Sequence, residues 1–227
     1  MRKQLVLALL LALSSVSLGG CRDNNMNTIA IKHEETNPVQ NAKEPVIADM
    51  GKITHLAGDN AEYAILKAGG VDTAMVYDLQ LGSHKFSEVE AWIDRYDNGE
   101  FTNKTGPFTF GIQGAEDSDS QARYDYKLYY TFSTIEDSEQ EQVTLALRKN
   151  GSVAKAEATQ SRKKLPSGIT NMWSVEEIIP GETHDLALIA WNKGNGMTTS
   201  DVEETIKNNE LVYVLRCRFT AAEGSQS

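Results

Sequence analysis

The residues that could do chemistry in this 227-residue chain are few and dispersed. His33, His55, His84 and His184 lie far apart, and none shows the His-x-His or His-x-x-x-His spacing that brings two imidazoles to one metal. Ser83 adjoins His84, but neighbours on an extended chain point in opposite directions, and no Gly-x-Ser-x-Gly elbow presents a serine nucleophile. Asp117-Ser118-Asp119-Ser120-Gln121 sets carboxylates at alternate positions, as a calcium loop would, and Glu116 adds an oxygen nearby. The match ends there, because Leu128 stands where an EF-hand needs its twelfth-position glutamate and no glycine occupies the sixth position. The stretch is read as a solvated acidic loop. Acidic residues are too numerous for sequence to single out a glycosidase pair. No metal site, no cofactor and no catalytic residue is therefore expected.

One pair of side chains stands out for a different reason. Along Phe86 to Tyr96, Val89, Ala91 and Ile93 share one face, while Trp92 and Tyr96 share the other with Glu88, Glu90 and Asp94. An outward indole needs an explanation. Either a second layer or a loop covers it, or Trp92 and Tyr96 form an exposed platform for a sugar ring or a protein partner, since aromatic anchors give large contact area at small entropic cost. They are the candidate binding residues.

The elements that would position these residues are mostly strands. Ala61 to Lys67 and Ala74 to Leu81 are apolar runs joined through Gly69-Gly70 and read as a hairpin. Asp97-Asn98-Gly99 closes the strand that carries Trp92. Tyr124, Tyr126, Leu128, Tyr130 and Phe132 make a core face, and Val143, Leu145 and Leu147 lead through Asn150-Gly151, a type I′ turn, into the returning strand Val153 to Thr159. Met172 to Ile179 and Thr183 to Trp191 flank Pro180-Gly181, a type II turn pattern, and read as another hairpin. Ser200-Asp201-Val202-Glu203 is a capping box and predicts one short helix, with Ser200 as its cap. The last strand, Glu210 to Phe219, puts Cys217 in phase with Leu211, Tyr213, Leu215 and Phe219, so its thiol is expected to be a buried small hydrophobe.

Roughly ten short strands and a single short helix near the C-terminus predict an all-β fold, an antiparallel β-sandwich of immunoglobulin-like or jelly-roll-like kind. The run Ile179-Pro180-Gly181-Glu182-Thr183 resembles turns of immunoglobulin-like sandwiches in surface proteins.

The N-terminus carries an address. Arg2 and Lys3 precede the apolar run Leu5 to Leu13, which is too short to cross about 30 Å of hydrocarbon as a permanent helix. Leu18-Gly19-Gly20-Cys21 follows and resembles the lipobox of bacterial lipoproteins. That resemblance implies removal of residues 1–20, lipidation of Cys21 through a thioether-linked diacylglyceryl group, and acyl chains such as palmitate in the membrane. Two or more chains make such an anchor lasting. Residues 21–45 read as a flexible polar tether in which only Thr28-Ile29-Ala30-Ile31 could form a strand, 46–220 as the sandwich domain and 221–227 as a disordered tail.

Removing Arg2 and Lys3 with the signal takes the formal charge from −10 to −12. That acidity excludes a polyanion binder, which needs a basic stripe to displace counterions. The only cluster, Arg162-Lys163-Lys164, reads as a solvated loop. The acidity also repels anionic headgroups, which leaves the lipid as the membrane contact. With Cys21 lipidated, Cys217 has no partner for a disulfide. The expected protein is thus a lipid-anchored, extracytoplasmic β-sandwich of the cell membrane, non-catalytic, that binds or presents a protein or glycan at the envelope. An extracytoplasmic hydrolase whose site forms no motif is the alternative.

Overall fold

Alternation of apolar and polar side chains builds most of the chain, and in the computed structural model it yields ten strands and two short helices. The structure describes residues 50–82, 86–112, 126–163, 165, 167–192 and 201–222. The chain divides into Met1–Glu44 and Pro45–Ser227, and every described element belongs to the second unit. Cys21, the tether, His33, His84, the acidic loop, Ser200 and residues 223–227 lie outside the described residues.

In chain order the elements are β1 (Met50–His55), α1 (Ala61–Ala68), β2 (Thr73–Gly82), β3 (Phe86–Asp97), β4 (Glu100–Gly111), β5 (Tyr126–Thr134), β6 (Gln140–Lys149), β7 (Ser152–Ser161), β8 (Ser167–Met172), β9 (Thr183–Asn192), α2 (Val202–Asn208) and β10 (Leu211–Ala221). They form two five-stranded sheets, β1-β2-β5-β6-β7 and β4-β3-β10-β9-β8, in which every pairing is antiparallel. The fold is an all-β sandwich. Five strands per sheet depart from the seven-strand order of constant-type immunoglobulin domains.

The core lies between the sheets, with Met75, Tyr77, Leu128, Tyr130, Val143 and Leu145 from one meeting Val89, Ile93, Leu186, Leu215 and Phe219 from the other. Cys217 is fully buried among them, and burial pushes its thiol pKa up. Two hydroxyls cross this apolar space. The β9–β10 pairing skips a residue between Leu215 and Arg216, which leaves Leu186 outside the register. Tyr77 donates to the Leu186 carbonyl at 2.8 Å, which also accepts from the Trp173 N–H at 2.8 Å, and Tyr130 donates to the Arg216 carbonyl at 2.7 Å, so hydroxyls of one sheet reach the bulge in the other.

Turn chemistry follows the sequence where both central residues are specified: Asn150 and Gly151 have φ of 45° and 89°, Asn98 and Gly99 51° and 84°, and each pair closes a two-residue hairpin. Three expectations need correction. Ala61 to Ala68 is a helix, not a strand of a hairpin. Its alanine, glutamate, leucine and lysine content favours helix, and the Asn60 side chain caps it by accepting from the Glu62 N–H at 3.0 Å. Tyr63 and Leu66 pack it on the outer face of the first sheet over Val76, Tyr129 and Ala146.

The second correction concerns 174–179: Met172 and Trp173 still pair with β9, but the rest does not continue as a hairpin arm. It crosses to the first sheet, where Val175 and Ile53 exchange backbone hydrogen bonds at 2.8 Å and Ile178 donates to Gly51 at 2.6 Å. The β1 edge is closed in this way. Third, the cap of α2 is Asp201, whose carboxylate accepts from the Glu204 N–H at 2.7 Å, one residue later than the capping box predicts. Val202 and Ile206 then cover Leu188, Ala190, Val212 and Val214 on the outer face of the second sheet. Each sheet thus carries a short helix on its outer side.

Candidate functional site

Trp92 and Tyr96 do share the outer face of β3, as alternation requires, but the indole is covered. Trp92 is only 6% exposed. Its N–H donates to Asp94 at 3.2 Å, and the Lys104 ammonium sits 4.9 Å from the ring centre, a cation–π contact. Asp94 also accepts from Arg216 at 2.5 Å, and Arg216 reaches Asp185 at 2.6 Å and the Tyr96 hydroxyl at 3.4 Å. Burial works to lower the Arg216 pKa, but the carboxylates of Asp185 and Asp94 outweigh it and the net shift is upward. Tyr96 is half-buried and meets Phe101 edge-on at 5.8 Å. The pair belongs to a charged, packed network, and Trp92 presents no open face to a ligand.

A cavity of about 200 Å³ opens instead at one end of the sandwich, between the sheets. It gathers the start of β2, the end of β5, the start of β6, the segment after β7, the end of β9 and the start of β10. Phe132, Glu141, Ile189, Leu211 and Tyr213, all buried, form its floor, and Trp191 and Leu165 its half-buried wall. Asp72, Thr134, Arg162 and Lys163 stand at the mouth. The aromatic part is rigid: Tyr213 stacks on Phe132 at 5.8 Å and meets Trp191 edge-on at 5.0 Å. Gly168 on β8 is what admits the indole, because a Cβ there would lie 2.6 Å from Trp191 Nε1.

Beside the floor runs a hydrogen-bond relay that ties the two sheets together. The Thr105 hydroxyl donates to Gln160 at 2.8 Å, the Gln160 amide to Glu141 Oε1 at 2.8 Å, and the Tyr213 hydroxyl to the same oxygen at 2.7 Å. Arg95, 7% exposed, donates to the Ser161 carbonyl at 2.6 Å and to Asp97 at 3.1 Å, with its guanidinium 5.8 Å from the Tyr213 ring. Burial and the neighbouring Glu141 charge push the Tyr213 phenol up. Partial burial works against ionisation of Asp97, yet hydrogen bonds from Lys163, Arg95 and Thr102 hold its carboxyl down at about 2. Asp72 is lowered as well, chiefly by the Thr134 hydroxyl and N–H, both at 2.6 Å.

Arg162 and Lys163 are not merely a solvated loop, since they rim the cavity. Lys163 pairs with Asp97 at 2.5 Å, and Arg162 donates to the Thr134 hydroxyl at 2.7 Å. Elsewhere, His55 lies 3.1 Å from the Ser174 hydroxyl, and His184 is buried with Nε2 unpartnered, neither of them at the cavity. Sequence reasoning passed over Glu141, Arg95 and Trp191. Yet a signal was there: each falls in the apolar phase of its strand, Glu141 with Val143 and Leu145, Arg95 with Ala91 and Ile93, Trp191 with Ala187 and Ile189.

The molecule is therefore an antiparallel sandwich with a polar-rimmed, aromatic-floored cavity at one open end. The chain belongs to the YgaN domain family, whose model matches residues 52–219 and so spans all the cavity residues. No curated protein and no solved structure matches the chain.

Proposed function

We propose that this is a lipid-anchored protein of the cell envelope, non-catalytic, whose sandwich domain binds a small molecule through the cavity at its open end. The observation that carries the binding role is the cavity itself, in which a rigid aromatic and aliphatic floor meets a few polar groups. Binding sites for small molecules combine these features. The anchor rests on Arg2, Lys3 and the lipobox-like Leu18-Gly19-Gly20-Cys21, and the acidic balance of the chain, −10 overall, supports a partner other than nucleic acid. A protein or glycan partner at the extracytoplasmic face would reach the domain within the span of the tether, on the order of 25–30 Å from the lipid for about 25 residues.

Two measurements test the reading. Fractionation of cells expressing Cys21→Ser should release the protein or leave it uncleaved; normal maturation and membrane retention would sink the anchor. For binding, pooled small metabolites and cell-wall fragments titrated into isotope-labelled protein should shift the indole N–H resonance of Trp191 and spare that of Trp92. Shifts confined to Trp92, or none with any pool, would reject the cavity.

A further inference from the structure

Glu141 and Arg162 give the cavity a charge pattern that points to one class of ligand. Glu141 is 7% exposed, and a carboxylate so buried is ordinarily paired with a cation. Its Oε1 accepts from Gln160 and Tyr213, both neutral donors, and among the described residues Glu141 makes no ion pair and Oε2 accepts no hydrogen bond. Arg162 is in the converse position. Of its guanidinium, Nη1 donates to the Thr134 hydroxyl, and among the described residues it makes no ion pair either. The nearby Asp72 holds Thr134 and acts on Arg162 only through space. Lys163 differs, being paired with Asp97.

Among the described residues the cavity thus offers a carboxylate on its floor that makes no ion pair and a guanidinium at its mouth that feels Asp72 only through space, with Trp191, Ile189 and Leu165 among the other lining residues. The register makes them neighbours. Glu141 pairs with Gln160, two residues before Arg162, and the Arg162 N–H donates to the Glu139 carbonyl. The two residues are therefore diagonal neighbours, with backbone positions about 7–8 Å apart. A small molecule that carries an ammonium and a carboxylate close together can meet both groups, each through a charge-assisted hydrogen bond of about 2.8 Å.

We propose that the cavity binds a small zwitterion of α-amino-acid type, its ammonium on Glu141 Oε2, its carboxylate on Arg162 and its aliphatic side chain against Trp191 and Ile189. This rests on the cavity being a binding site, as argued above. Each charge on the protein is then met by its opposite, and a ligand with only one charge leaves the other unpaired in a partly dry site, which disfavours it.

Isothermal titration of the protein as the cell processes it, with L-leucine, leucine amide and N-acetyl-leucine, tests the idea. L-leucine should bind at least tenfold more tightly than either singly charged analogue and should shift the Trp191 indole resonance. Glu141→Gln keeps an acceptor for Gln160 and Tyr213 and should weaken L-leucine and leucine amide tenfold or more while leaving N-acetyl-leucine unchanged. If that variant fails to fold, Arg162→Gln at the mouth serves, with the converse pattern: N-acetyl-leucine weakened, leucine amide unchanged. Equal affinity for charged and blocked forms, with Trp191 shifting, would overturn the zwitterion and keep the cavity as a site for another ligand. No heat and no Trp191 shift with all three, where a pooled metabolite does shift it, would overturn the zwitterion alone; silence from every probe would overturn both.

Discussion

Trp92 and Trp191 belong to the same five-stranded sheet and face opposite ways, and the neighbourhoods of the two indoles invert what their positions suggest. Trp92, on the outer face among acids, has its N–H on Asp94, its ring under Lys104 and its surroundings bound into Asp94–Arg216–Asp185. Trp191, on the inner face, meets Tyr213 edge-on and borders about 200 Å³ of empty space. Facing outward does not make a side chain available, and facing inward does not make it structural. What matters is whether neighbouring groups satisfy one another. The Trp92 network is close to closed, with Asp94 Oδ1 as its one buried atom lacking a hydrogen bond and Lys104 3.8 Å away. The cavity end leaves a carboxylate and a guanidinium without ionic partners among the described residues.

The sharpest way to break this contrast is Trp92→Ala. Truncating a buried tryptophan costs about 3–5 kcal/mol, enough to lower the melting temperature of a domain this size by on the order of 10 °C, and ligand capture by the folded fraction should not change. Calorimetry and titration on one sample check both. A melting temperature within a degree or two of wild type, with capture lost, would return Trp92 to the binding role.

A middle-sized effect is expected from Tyr130→Phe. Its hydroxyl donates across the core to the carbonyl of Arg216, the residue at the centre of the outer network. Losing that hydrogen bond costs about 0.5–1.5 kcal/mol. Denaturant titration should show it as a lower midpoint at unchanged slope, and no change would mean that the network does not depend on the bulge beneath it.

The smallest effect lies at the cavity end and is seen only in acid. Asp97 titrates at about 2 in the folded chain against 3.8 as its ordinary value. A folded value below the unfolded one means stability that is complete above about pH 4 and is lost as the pH falls towards 2. Because the pair with Lys163 is partly solvated, the contribution is modest. Asp97→Asn should flatten the stability profile between pH 4 and 2.5 relative to wild type and leave neutral-pH binding intact. An acid limb identical to wild type would show that Lys163 and Arg95 do not hold the carboxylate.

Much of the architecture was legible. Period-two alternation located β3, β5, β6, β7 and β10, and Asn150-Gly151 named its own turn. Ala61 to Lys67 misled because a seven-residue, mostly apolar run is short enough for either structure, and its alanines, poor strand formers, were the overlooked clue. The run from Glu100 to Gly111 was missed because an edge strand with a largely exposed surface carries a weak pattern. The capping box pointed to the right helix but the wrong cap, since Ser200 and Asp201 adjoin and either side chain can accept from the first turn.

The cavity could be sensed but not assembled from sequence. Glu141 and Arg95 break the apolar phase of a strand near its end and Trp191 continues one, yet they are 46 and 50 positions apart along the chain, and periodicity says nothing about which strand ends meet. By itself the sequence determined the strands, two tight turns, the buried thiol of Cys217 and an acidic chain unsuited to polyanions, because these follow from local alternation, turn residues and summed charge. Only the tertiary structure decided that Trp92 is roofed by its own sheet's charges, that Arg162 stands at a mouth and that Glu141 reaches into a space, because burial and charge compensation depend on which distant strands are stacked together.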